Sequence, residues 1–105
     1  MKEKLYVFRR YKKKQGNKNV RHPKLIVASF KDEYGFMGLT ESKKDGHHYN
    51  IPITDPQRKA KKSYIRKEIV YDKKKMFSDI LDDYNLSEKD KKYIINYVNN
   101  HKKKK

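Results

Sequence analysis

Thr40, Ser42, Lys43, Lys44, His47 and His48 fall within one short stretch, TESKKDGHH, between two segments of strand character. Two hydroxyls beside two lysines can hold phosphate oxygens or a developing oxyanion. A neutral imidazole can take the proton of a ribose 2′-hydroxyl near neutral pH, and an imidazolium can protonate a leaving 5′-oxygen. If the strand ending at Thr40 runs on through Glu41, Thr40 and Ser42 share a side, whereas the adjacent histidines point to opposite sides and only one can join them. Arg21, just ahead of the most apolar segment, is placed to fork two hydrogen bonds to a phosphate. An ordinary polar turn, in which Ser and Thr satisfy nearby backbone groups, accommodates the same residues. At this point both readings stand.

The chain around this cluster is strongly basic. It carries 29 Lys and Arg against 13 Asp and Glu in 105 residues, a formal net charge of +16. The excess is concentrated early: residues 1–75 hold 22 basic and 8 acidic side chains, residues 76–105 hold 7 and 5. A field of that sign gathers polyanions, RNA and DNA foremost. The candidate RNA contacts are Arg9, Arg10, Lys12, Lys13, Lys14, Lys44, Arg58, Lys59, Lys61 and Lys62. Tyr11, Tyr64 and Tyr71 lie close to basic runs, which suits single-stranded RNA, phosphates on lysine and bases on rings. A genome biased towards Lys, Asn, Tyr and Ile would produce a similar surface.

Composition excludes several chemistries. With no cysteine there is no disulfide, no thiolate nucleophile and no Cys-ligated zinc. His22, His47, His48 and His101 lack ligand-like spacing, so neither a metal nor another cofactor is expected. No apolar run approaches the ~18–20 residues that cross a bilayer, and the N-terminal stretch lacks a signal-peptide core. A cytoplasmic protein without membrane contact is the expectation.

The elements that must position these residues read as a single domain, mainly β with C-terminal helices. Although 40% of residues are charged, nine Tyr and four Phe in periodic runs argue for a packed core over disorder. Alternation predicts strands over 4–10, 23–30, 36–40, 48–54 and 63–71. The second of these is the most apolar and so central; Pro52 suits an edge, and Asp45-Gly46 marks a turn. Basic connections occupy 11–19 and 55–62. Further on, Phe77, Ile80, Leu81 and Tyr84 recur at helical spacing, which predicts an amphipathic helix. A second helix starts at Ser87, with Asp90 as a capping-box variant, and buries Ile94, Tyr97 and Val98. The expected architecture is a small, partly open β-barrel over 1–75, two short helices over 76–101 packed across it, and a basic tail over 102–105. A split α+β arrangement is the alternative.

The order of these features carries a family likeness. Arg21 and Pro23 flank His22, Leu25–Ser29 supplies an apolar strand, and GLTESKK closes the next one. This resembles the small barrel ribonucleases of toxin–antitoxin systems, the MazF/PemK (Kid) group and their ToxN/AbiQ relatives. In those proteins Arg-Pro leads into an apolar strand and a PLT-S element ends the following one. Here Gly38 stands in place of that element's proline and Glu41 separates Thr40 from Ser42. The resemblance implies an SH3-like barrel and metal-independent RNA cleavage, in which a 2′-hydroxyl attacks the adjacent phosphate and leaves a 2′,3′-cyclic phosphate. It implies that Arg21 stabilises the phosphorane, that Thr40, Ser42 and Lys43 or Lys44 hold its oxygens, and that His47 or His48 moves protons. It also implies a neutralising antitoxin, an acidic protein or an RNA, and a homodimer or antitoxin-bound assembly. Charge alone supports a different expectation: a non-catalytic nucleic-acid-binding barrel of a plasmid, phage or mobile element.

Overall fold

In the computed structural model, which describes residues 4–12, 23–54 and 62–101, the most apolar strand lies inside the sheet. Strand β2 (Pro23–Ser29) pairs antiparallel with β1 (Val7–Tyr11) on one side and with β3 (Glu33–Thr40) on the other. Leu25, Ile26 and Val27 are consecutive and all buried, so both faces of β2 are covered. Leu25 and Val27 enter the main core with Phe8, Met37 and Ile65. Ile26 enters a second, largely aromatic cluster with Tyr11, Tyr34, Phe36 and Phe77. A strand covered on both faces needs a continuous apolar run, which is what KLIVA supplies.

Strand β3 is the hub, and it is longer than the predicted 36–40 because pairing begins at Glu33. Its first half pairs with β8 (Val70–Lys73) and its end with β7 (Lys62–Ile65), so the predicted strand 63–71 breaks in two. Strand β6 (Ile51–Thr54) pairs only with β7 and ends the sheet, and Pro52 lies on this edge as expected. The predicted strand 48–54 is likewise divided at Asn50: β5 (His48–Tyr49) forms a separate two-stranded hairpin with β4 (Lys44–Asp45). The first strand starts at Val7 rather than Lys4 because Tyr6 has φ 61°, in the left-handed region and off strand geometry.

The helical expectation needs one correction. Residues 76–101 hold one helix rather than two, because Phe77–Ile80 is strand β9, antiparallel to β1. The helix-like spacing is real, but its members separate: Phe77 joins the aromatic cluster, while Leu81 and Tyr84 pack on the main core. Strand β1 decides the matter. Its outer edge would otherwise leave backbone groups without partners, and they are met by Lys12 N–H to Met76 O (2.8 Å) and Leu81 N–H to Phe8 O (2.8 Å). The resulting order is β6-β7-β3-β2-β1-β9, with β8 also on β3. The fold is mostly β with one C-terminal helix, and the sheet is open.

That helix, α1 (Glu88–His101), starts where Ser87 predicts. The Ser87 hydroxyl accepts the Asp90 N–H at 3.1 Å, as an N-cap does. The Asp90 carboxylate does not complete a capping box; it accepts the Thr54 N–H at 2.9 Å and ties β6 to the helix. Ile94 and Val98 are then buried in the main core and Tyr97 packs against it. Among the described residues no helix is long and apolar enough to cross a membrane.

The aromatic cluster has its own polar clasp. Tyr11 donates its hydroxyl to the Asp72 carboxylate, and burial first, then that bond, push the phenol well above the usual tyrosine range. Unfolded, the same group ionises near pH 10. The folded state therefore holds a proton that the unfolded chain releases, and this contribution is complete below about pH 10 and lost as pH rises beyond it. Burial raises Tyr6 and Tyr97 in the same direction. Urea unfolding from pH 8 to 11 should show stability falling above pH 10, and Tyr11→Phe should make the fall shallower. An unchanged profile in Tyr11→Phe would show that the clasp contributes nothing.

Candidate functional site

The hairpin β4–β5 is what the TESKKDGHH stretch becomes. Its turn is Gly46-His47, with Gly46 at φ 60°, the conformation a type II′ turn requires at that position. Asn50 anchors the foot of the hairpin: its side-chain amide donates to Ser42 O at 3.0 Å and its N–H to Lys43 O at 2.9 Å. Asn50 is itself buried, so the hairpin is held in one place against the sheet.

Thr40 is buried at the end of β3. Its hydroxyl accepts the Ser42 N–H at 3.1 Å, so the T-x-S element does form the local turn that Ser and Thr favour. The same oxygen also accepts from Arg66 Nη2 at 3.4 Å. Arg66 lies just beyond β7, its N–H bonded to Gly38 O at 2.9 Å, and its side chain crosses β3 above Gly38. A β-carbon at Gly38 would sit 3.2 Å from Arg66 Cδ. A larger residue at 38 would therefore press on the arginine stem, which would have to shift by a few tenths of an ångström. Arg66 Nη1 meets the Asp45 carboxylate at 2.5 Å, with side chains 45% and 39% exposed. Such a pair contributes little stability, but it aims the guanidinium at the hairpin.

Arg66, Asp45 and Asn50 line an open cleft of about 470 Å³ together with His48, Lys67, Glu68 and Tyr97. One histidine of the pair, His48, lines it; His47 sits in the turn and is not among its lining residues. The far wall is braced by α1, where Tyr97 donates its hydroxyl to Lys67 O at 3.3 Å. His101 stacks on the Tyr97 ring at 4.0 Å and donates from Nδ1 to Tyr97 O at 2.9 Å. Behind Gly38, its strand partner Lys24 is half-buried, and burial together with the charge of Arg66 lowers its ammonium from the usual lysine range.

The predicted site residues therefore divide. The Thr40 hydroxyl meets Arg66 and the Ser42 N–H at the end of β3, and His48 lines the cleft with Arg66, whereas the Lys43 and Lys44 side chains are exposed beside it. Lys44 Nζ lies over the Tyr49 ring at 5.2 Å. Of the predicted RNA contacts, Arg9 is turned inward: Nη1 donates to Ser78 O at 2.8 Å and the guanidinium covers Tyr34 at 5.3 Å. Arg10, Lys12 and Lys62 are exposed. Arg21, Lys13, Lys14, Arg58, Lys59 and Lys61 lie outside the described residues, as does His22. Among the described residues no group of three or more His, Asp or Glu could hold a metal ion.

Sequence reasoning missed Arg66, Asp45, Asn50, Lys24 and Tyr97. Only Arg66 left a signal: in a chain that uses lysine almost throughout, five residues are arginine, and a fork-shaped donor is one reason to keep one. Comparison with protein-family models, curated proteins and solved structures finds no match. The geometry itself carries the functional reading.

Proposed function

We propose that this chain is a metal-independent endoribonuclease of the toxin type, built on a partly open SH3-like barrel and working on RNA in the cytoplasm. The observation that carries the reading is the placement of His48 and Arg66 in one cleft, with the Thr40 hydroxyl beneath the guanidinium. A guanidinium has five N–H donors, and Asp45 and Thr40 engage two of its nitrogens. The remaining donors face a scissile phosphate and strengthen their hold as charge builds on the phosphorane. His48 takes the proton of the attacking 2′-hydroxyl; the 2′-oxygen bonds to phosphorus, the bond to the 5′-oxygen breaks, and that oxygen leaves with a proton from solvent. The product is a 2′,3′-cyclic phosphate and a free 5′-hydroxyl. Arg66 takes the role that the family resemblance implies for Arg21. An acidic protein or an RNA antitoxin would neutralise the +16 chain by covering this cleft.

The test is incubation of the protein with single-stranded RNA in EDTA. Cleavage with 2′,3′-cyclic phosphate ends is the expected result, and a chelator-sensitive activity or 3′-hydroxyl products would defeat the mechanism. RNA affinity should fall with salt, each neutralised phosphate adding about −0.7 to the log–log slope. One observation favours a second reading, nucleic-acid binding without cleavage: Asp45 already offsets part of the Arg66 charge. Salt-dependent binding with no cut products on any sequence would decide for it.

A further inference from the structure

Away from the cleft, the connection after β2 and strand β8 carry a second feature. Phe30 and Tyr71 are 53% and 51% exposed, yet they lie against each other with ring centroids 5.8 Å apart. The position of Tyr71 is built into the sheet. Tyr71 pairs with Gly35, and a β-carbon at Gly35 would sit 2.9 Å from Tyr71 Cε2 and 3.2 Å from the Ala28 methyl. The phenol ring therefore lies down on glycine backbone rather than standing into solvent, and any side chain at residue 35 would lift it. Beside the pair runs an open groove of about 620 Å³, lined by Phe30, Lys31 and Lys73–Lys75 together with the carboxylates of Asp32 and Glu33. Four lysines against two acids leave the groove positive.

An exposed aromatic surface would ordinarily be withdrawn from water or paired with a partner. Here the surroundings select the partner. Rings held in place, open on one side and bordered by ammonium groups, match a single strand of nucleic acid, whose bases stack on aromatics while its phosphates follow the cations. We propose that Phe30 and Tyr71 form a stacking platform for unpaired RNA bases, with Lys31, Lys73 and Lys75 along the backbone path, distinct from the cleavage cleft. The choice of RNA as the ligand rests on the proposed function above; the platform rests on the Gly35 contact and the lysine border. Such a platform accepts any base, so it would supply affinity and hold substrate single-stranded while the cleft selects the bond cut.

The experiment uses full-length protein carrying His48→Ala, in EDTA, so that binding is read without cleavage. The probe is a short single-stranded oligouridylate bearing 2-aminopurine. Binding should quench the 2-aminopurine as it stacks, and Tyr71→Ala or Phe30→Ala should weaken binding about 5- to 100-fold and remove the quenching. Tyr71→Phe, which keeps the ring, should restore both, and Gly35→Val should behave like Tyr71→Ala by displacing it. An oligonucleotide with abasic sites should bind the unmodified platform as weakly as the normal strand binds Tyr71→Ala. Circular dichroism confirms that each variant is folded. Unchanged affinity and quenching in both alanine variants would overturn the platform and leave this face to a protein partner, as would a protein that binds no single-stranded RNA. A protein that stacks the probe but cuts nothing when His48 is restored would end the nuclease reading and leave the platform standing.

Discussion

On the proposed mechanism, His48→Ala should lower RNA cleavage by about 10²–10⁴-fold, the range for removing a general base, while His47→Ala should leave it nearly unchanged. The two residues are adjacent, and the contrast comes from their places in the hairpin. His48 is on β5 and lines the cleft with Arg66, whereas His47 is the second residue of the turn. Arg66→Ala should cost about 10²–10³-fold through loss of a preorganised donor to the phosphorane. Affinity for uncut RNA should fall much less in either variant, because on the same proposal phosphate contacts over a +16 surface would supply most of it. The measurement is single-turnover cleavage at saturating protein, alongside binding of an RNA whose 2′-hydroxyls are methylated. Equal loss in His47→Ala and His48→Ala would mean that the hairpin acts as a loop and not through one imidazole. Retained cleavage in Arg66→Ala would return the phosphorane contact to another cation.

The second large effect is on stability. Ile94→Ala should cost about 2–5 kcal/mol, the range for emptying a buried aliphatic site, out of a total of about 5–15 kcal/mol for a domain. Ile94 is wholly buried in the cluster that includes Leu25, Met37 and Ile65. Truncation after Leu86 removes Val98 as well, together with the Asp90 carboxylate that ties Thr54 to the helix. That fragment should show no cooperative thermal transition. Because Tyr97 also braces the wall of the cleft through Lys67, Ile94→Ala should reduce cleavage at temperatures where the protein is still folded. A fragment 1–86 that melts cooperatively near the intact chain would show that α1 is an accessory.

The chain's local signals were sufficient wherever one segment decides its own conformation. The β2 apolar run, the Ser87 cap and the turn signalled by Asp45-Gly46, whose central residues are Gly46-His47, are readable from neighbours in sequence, because each depends on groups within a few residues. Segment 77–84 was not readable in this way. Its apolar spacing satisfies a helix, yet the unpaired edge of β1, more than sixty residues earlier, takes Phe77–Ile80 as a strand. Pairing across that distance leaves no trace in the local period.

The site divides along the same line. That hydroxyls, lysines and histidines fall together from the end of β3 onward follows from the sequence, and the structure shows the Thr40 hydroxyl on the Ser42 N–H and His48 on the cleft that Arg66 lines. Which histidine faces the cleft was settled by the two-residue turn, which spends His47 in the bend. Which arginine stands beside Thr40 was settled by β7 pairing with the end of β3, for this brings Arg66 over Gly38 to Thr40, 26 residues earlier in the chain. By itself the sequence determined the charge, the strand-forming runs and the chemistry on offer, because these are properties of residue types and near neighbours. Only the tertiary structure decided which cation meets which hydroxyl and which aromatic rings stay exposed, because those follow from strand order and register, and register is set by the packing of the whole sheet.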